Sequence, residues 1–110
     1  MNSDTGVPKM EMKYRVISIL TKIREKPVIY IGQKSITLLD AFLCGYKTCL
    51  YEEHGYEDFH YINDFQEFVA NKYGIKSSQN WSSIIRFYSC SESEAFDLFY
   101  KLFDEYNEIY

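Results

Sequence analysis

The chain has 110 residues, of which 46% are apolar, 18% aromatic and 25% charged, with a net charge of -4 at neutral pH. That length supports one compact domain and leaves no room for a second. Eleven Tyr, eight Phe and one Trp exclude disorder as the main state, because so much apolar surface can offset the entropy of ordering. No run approaches the roughly 18 apolar residues of a membrane span, and Met1-Asn2-Ser3-Asp4-Thr5-Gly6 has neither a basic nor an apolar signal region. The expected location is therefore the cytoplasm, with residues 1–9 as a flexible segment ahead of the domain.

From Met10 to Lys26, Val16, Ile19, Leu20 and Ile23 recur at i, i+3, i+4 and i+7, which predicts an amphipathic helix. Pro27 ends it, and Val28-Ile29-Tyr30-Ile31 reads as a short extended or irregular run closed by Gly32. Ser35 is the expected N-cap of a second helix running to about His54, with Ile36, Leu39, Phe42, Leu43, Tyr46 and Leu50 inward and Gly55 as its stop. After a loop through His60, Asn63 or Asp64 is expected to open a third helix carrying Phe65, Phe68, Val69 and Tyr73, with Gly74 at its end.

Asn80 caps a short helix with Trp81, Ile84, Ile85 and Tyr88. Ser91 and Glu94 have capping-box spacing, with Cys90 and Ala95 as the accompanying apolar staple. The final helix turns Ala95, Leu98, Phe99, Leu102, Phe103 and Tyr106 inward. The fold class expected is all-α, a single irregular bundle of about five helices spanning residues 1–110.

Charge is divided unevenly along the chain. Residues 1–50 hold eight bases against four acids, a net +4, whereas residues 51–110 hold four bases against twelve acids, a net -8. A half this acidic repels nucleic acid and attracts basic proteins. Its densest part is Glu52, Glu53, Glu57, Asp58, Asp64 and Glu67, six carboxylates within sixteen residues and no Lys or Arg among them. These six, with Tyr56 and Tyr61 as aromatic anchors, are the expected partner-binding residues; Tyr51 is a third tyrosine expected at the surface. A solvated acidic rim is the plain alternative.

Catalytic signals are thin, and no enzyme, metal or cofactor is expected. His54 and His60 lie near Glu53, Glu57 and Asp58, but Gly55 and Tyr56 break the helical register that an H-x-x-x-H metal pair requires. The serines sit at capping positions and outside any G-x-S-x-G pattern. Cys44, Cys49 and Cys90 have no C-x-x-C spacing, and reduced, mostly buried thiols are expected. The stretch Ile23-Arg24-Glu25-Lys26-Pro27-Val28-Ile29-Tyr30-Ile31-Gly32 looks like the R-K-R-P-G-M-Y-I-G segment near the start of the DNA gyrase B ATPase. The nucleotide-binding segments of that family need more chain and more glycine, so the likeness reads as shared helix-to-loop punctuation.

A wider pattern runs through Lys26-Pro27, Tyr30-Ile31-Gly32, Ser35-Ile36, Leu39, Ala41-Phe42-Leu43 and Gly45-Tyr46, then Phe65, Phe68, Trp81, Ala95-Phe96 and Phe99. Over about residues 12–106 it is similar to small bacterial proteins of the immunity type. Those proteins are encoded beside polymorphic or contact-dependent inhibition toxins and neutralise them by direct binding. The resemblance implies a cognate protein toxin as partner, a nuclease domain in particular, with no direct nucleic-acid or membrane contact; self-association stays open. Its motif is structural and carries over no binding residue. A helical adaptor or regulatory module unrelated to toxins is the competing reading, and a small enzyme or nucleic-acid binder the third.

Overall fold

A computed structural model describes the backbone of residues 9–55 and 60–109, with side chains for 13–55 and 61–109. It is all-α, with six helices and no strand among the described residues: α1 (Lys9–Glu25), α2 (Pro27–Ile31), α3 (Ile36–His54), α4 (His60–Lys72), α5 (Trp81–Phe87) and α6 (Glu92–Ile109). The expected flexibility of residues 1–9 concerns positions that, but for Lys9, lie outside those described.

The sixth helix is α2, where the sequence suggested an extended or irregular run. Pro27 has no N–H to lose at the first helical position, and its fixed φ suits the start of a turn. Gly32 ends the turn at a φ of 90° and donates its N–H to the Val28 carbonyl at 3.1 Å. The start of α4 also differs. It begins at His60, three or four residues before the expected Asn63 or Asp64 cap, because the apolar spacing Tyr61, Phe65, Val69 continues the buried face backward by one turn.

Local capping chemistry accounts for the other boundaries. The Ser35 hydroxyl accepts from the Leu38 N–H and the Asn80 side chain from the Ser83 N–H. Gly55 takes the left-handed conformation at φ 70° and donates to the Tyr51 carbonyl at 2.8 Å, closing α3. At the start of α6 the Ser91 Oγ accepts the Glu94 N–H at 3.1 Å, as the capping box requires. The return arm reaches one residue further, since Glu94 accepts from the Cys90 N–H at 3.0 Å. Cys90, expected to staple over Ala95, is exposed, while Ala95 is fully buried.

α6 is the centre of the packing: it lies against α3, α4 and α5, while α1 packs on α2 and α4. One core joins Val16, Leu20 and Ile23 of α1, Ile36, Leu39, Leu43 and Leu50 of α3, and Phe65 and Val69 of α4 to the buried face of α6. That face holds Ala95, Phe99, Leu102, Phe103 and Tyr106 as expected and adds Phe96 and Tyr100, while Leu98, also expected inward, is only partly buried at its edge. Phe99 is its pivot, with ring centroids 5.4 Å from Phe65, 5.1 Å from Trp81 and 4.9 Å from Tyr100. Burying such rings, at roughly 1.5–3 kcal/mol per large side chain, supplies most of what holds α6 in place.

Polar contacts fix the helices around that core. The buried Tyr100 hydroxyl donates to the Leu20 carbonyl at 2.6 Å, tying α6 to α1. The buried Ser82 hydroxyl donates to Asp40 at 2.7 Å, tying α5 to α3. Arg24 grips both carboxylate oxygens of Asp104 at 2.9 and 2.7 Å and lies over the Tyr100 ring at 5.0 Å. The Arg24 pair is half-exposed, so its contribution is small, at most about 1 kcal/mol.

Candidate protein-binding groove

Asp64 and Glu67 are three residues apart on α4, which puts both carboxylates on one helix face. Opposite them, the last turns of α6 present Glu105 and Ile109. Between the two helices runs an open groove of about 740 Å³, floored by Phe68 and Tyr106, whose rings stand 5.5 Å apart. Asn71 and Lys72 complete the α4 wall, and the Lys72 ammonium pairs with Glu105 across the groove. Three carboxylates against one ammonium leave the lining at a net -2.

Asp64 and Glu67 are exposed, and no ion pair or hydrogen bond among the described residues engages either side chain. Their field is therefore directed outward. An apolar floor with an acidic rim can bury an aliphatic or aromatic side chain of a partner while its Lys or Arg neighbours meet the carboxylates.

The other residues expected at the interface are placed differently. Glu52 and Glu53 are exposed on the last turn of α3, beside the half-exposed Tyr51. That helix packs on α2, α5 and α6, so nothing among the described contacts joins Glu52 or Glu53 to the groove. Tyr56, Glu57 and Asp58 lie outside the described residues. Tyr61 is corrected outright: it was expected at the surface, yet only 8% of it is accessible. Its ring packs edge-on against Tyr106 at 5.4 Å and its hydroxyl donates to Asn107, because α4 starts early enough to turn Tyr61 into the core. Burial pushes the Tyr61 phenol well above the ordinary tyrosine range.

Glu105 was not among the expected residues. Its place opposite Asp64 and Glu67 depends on how α6 crosses α4, for which no local pattern exists.

The cysteines also depart from expectation. Cys44, Cys49 and Cys90 are all exposed, because α3 turns Cys44 and Cys49 away from its Leu39, Leu43 and Leu50 face. No group of three or more His, Cys, Asp and Glu among the described residues is placed to hold a metal ion; the His60 side chain lies outside those described. A core cavity bordered by Val16, Leu43, Phe65 and Phe99 measures about 10 Å³, which holds no ligand. Among the described residues, no helix is long and apolar enough to cross a membrane. No family model matches the chain, and neither a curated protein nor a solved structure matches it.

Proposed function

We propose that this chain is an immunity-type protein that binds a basic protein toxin, a nuclease domain in particular, and neutralises it by covering its phosphate-binding cleft. The observation that carries this reading is the groove between α4 and α6, where Asp64 and Glu67 stand exposed without basic partners among the described residues, beside the apolar Phe68, Tyr106 and Ile109. A nuclease cleft is built to attract phosphate, and carboxylates held on a rigid helix imitate that charge. The net -8 of residues 51–110 adds long-range steering, which speeds encounter with a cationic partner. The similarity of Lys26–Tyr46 and the aromatic helices to immunity-type proteins supports the same role, and cytoplasmic action belongs to the proposal. Neutralisation by direct binding needs no catalytic group and no cofactor.

The test is co-expression with the toxin encoded in the adjacent reading frame. The parent chain is expected to protect the host and to co-purify with the toxin domain, and Asp64→Lys/Glu67→Lys to lose both. A parent that neither binds nor protects overturns the toxin reading. Equal protection by the folded double variant removes the groove as its interface.

A further inference from the structure

The second surface that demands an occupant is α2. None of its five residues is buried: Val28 is 69% exposed, Ile29 71% and Tyr30 38%. Lys22, in the last turn of α1, and Lys26, immediately before Pro27, are exposed, and no ion pair among the described residues engages them. The molecule thus projects an apolar knob flanked by cations. The α4–α6 groove is its chemical complement, an apolar floor with an anionic rim.

Pro27 and Lys34 border α6 along Phe96, Asp97, Tyr100, Lys101 and Asp104, whereas the groove lies at Glu105, Tyr106 and Ile109 of the same helix. At about 3.6 residues per turn these two sets centre on different faces of α6. The knob therefore stands on a different side of the helix from the groove.

We propose that α2 of one molecule docks into the α4–α6 groove of a second copy, giving a head-to-tail, salt-sensitive self-association. Val28 and Ile29 enter over Phe68 and Tyr106, while Lys22 and Lys26 meet Asp64 and Glu67. An open groove of about 740 Å³ is within the range that accepts several side chains. A single knob-in-groove contact leaves one free knob and one free groove, so the association either closes on itself as a small symmetric oligomer or continues as short chains. An anionic lipid surface is the poorer occupant, since the net charge of -4 and the acidic second half oppose approach to it. The inference goes beyond toxin binding and needs only the two surfaces; it adds that self-association and a basic partner compete for one groove.

The experiment is light scattering on the full-length chain over a concentration series at low salt and at about 0.5 M salt, where screening is nearly complete beyond a few ångströms. The weight-average mass is expected to rise about two-fold or more with concentration at low salt and to return to the monomer value at high salt. Val28→Asp/Ile29→Asp and Asp64→Lys/Glu67→Lys change only exposed positions. Each is expected to be a monomer by itself, with an unchanged circular dichroism spectrum. Mixed together, they retain one intact groove and one intact knob and are expected to form a discrete heterodimer. A parent that stays monomeric throughout, or a mixture that forms no heterodimer, overturns the proposal. So does a monomeric parent that binds phosphatidylserine vesicles through α2. None of these readings involves the toxin.

Discussion

Glu92 closes the N-terminus of α3 from outside that helix: its carboxylate accepts the Thr37 N–H at 2.9 Å and the Thr37 hydroxyl at 2.9 Å. The Ser35 hydroxyl donates to the same carboxylate at 2.7 Å. An anion at a helix N-terminus meets unpaired N–H groups and the positive end of the helix dipole. The first residue of α6 thereby serves as a cap for α3, and the loop before α3 is held against the loop before α6.

These hydrogen bonds, led by the Thr37 N–H, hold the Glu92 carboxyl below the ordinary carboxylate range, against an opposing push from partial burial. A depressed pKa stabilises the folded state above the unfolded value of about 4.3. That contribution is lost as pH falls from there through the folded-state value. Glu92→Gln is expected to cost about 1 kcal/mol or less at neutral pH, given the exposure of the site. Urea unfolding of parent and variant at a series of pH values checks this: the difference between the two should shrink as pH falls below the ordinary carboxylate range.

Tyr61 and Tyr100 give a second pH signature, at the other end of the scale. Burial raises both phenols above the ordinary value of 10.0. A raised phenol pKa favours the folded state below the unfolded value, and the advantage is lost as pH climbs through the folded-state value. Tyrosinate absorbance is expected to show that both phenols titrate only as the chain unfolds. Tyr61→Phe and Tyr100→Phe should each remove part of this late signal.

Phe99 tests the core. It meets Phe65, Trp81, Tyr100 and Phe103 and is 1% exposed. Phe99→Ala is expected to cost about 3–5 kcal/mol, measured by denaturant unfolding. Tyr51→Ala, at an exposed position, should stay within about 0.5 kcal/mol.

The helix ends were readable in the sequence where they depend on neighbours a few residues away. Ser35, Gly55, Asn80 and the Ser91/Glu94 pair satisfy backbone groups of their own turns, so spacing alone identified them. The inward faces of α1 and α3 followed from periodicity for the same reason. Tyr61 was missed although Tyr61, Phe65 and Val69 have helical spacing, because the polar Asn63-Asp64 pair looked like a stronger helix start. α2 was missed because a five-residue apolar run with no buried side chain has no periodicity to detect. Of the candidate site, the α4 carboxylates were readable and the groove was not. Its floor at Tyr106 and its far wall at Glu105 exist only once α6 is laid across α4.

Calorimetric titration of a toxin domain encoded beside the chain is the sharpest test of the proposed binding of a basic protein in the acidic groove. The parent is expected to bind one-to-one, with affinity falling as salt rises. Asp64→Lys/Glu67→Lys, folded and otherwise unchanged, should bind at least about 100-fold more weakly, the scale of losing two close charge pairs. Binding that is insensitive to both salt and the double substitution, or no binding at all, contradicts the account.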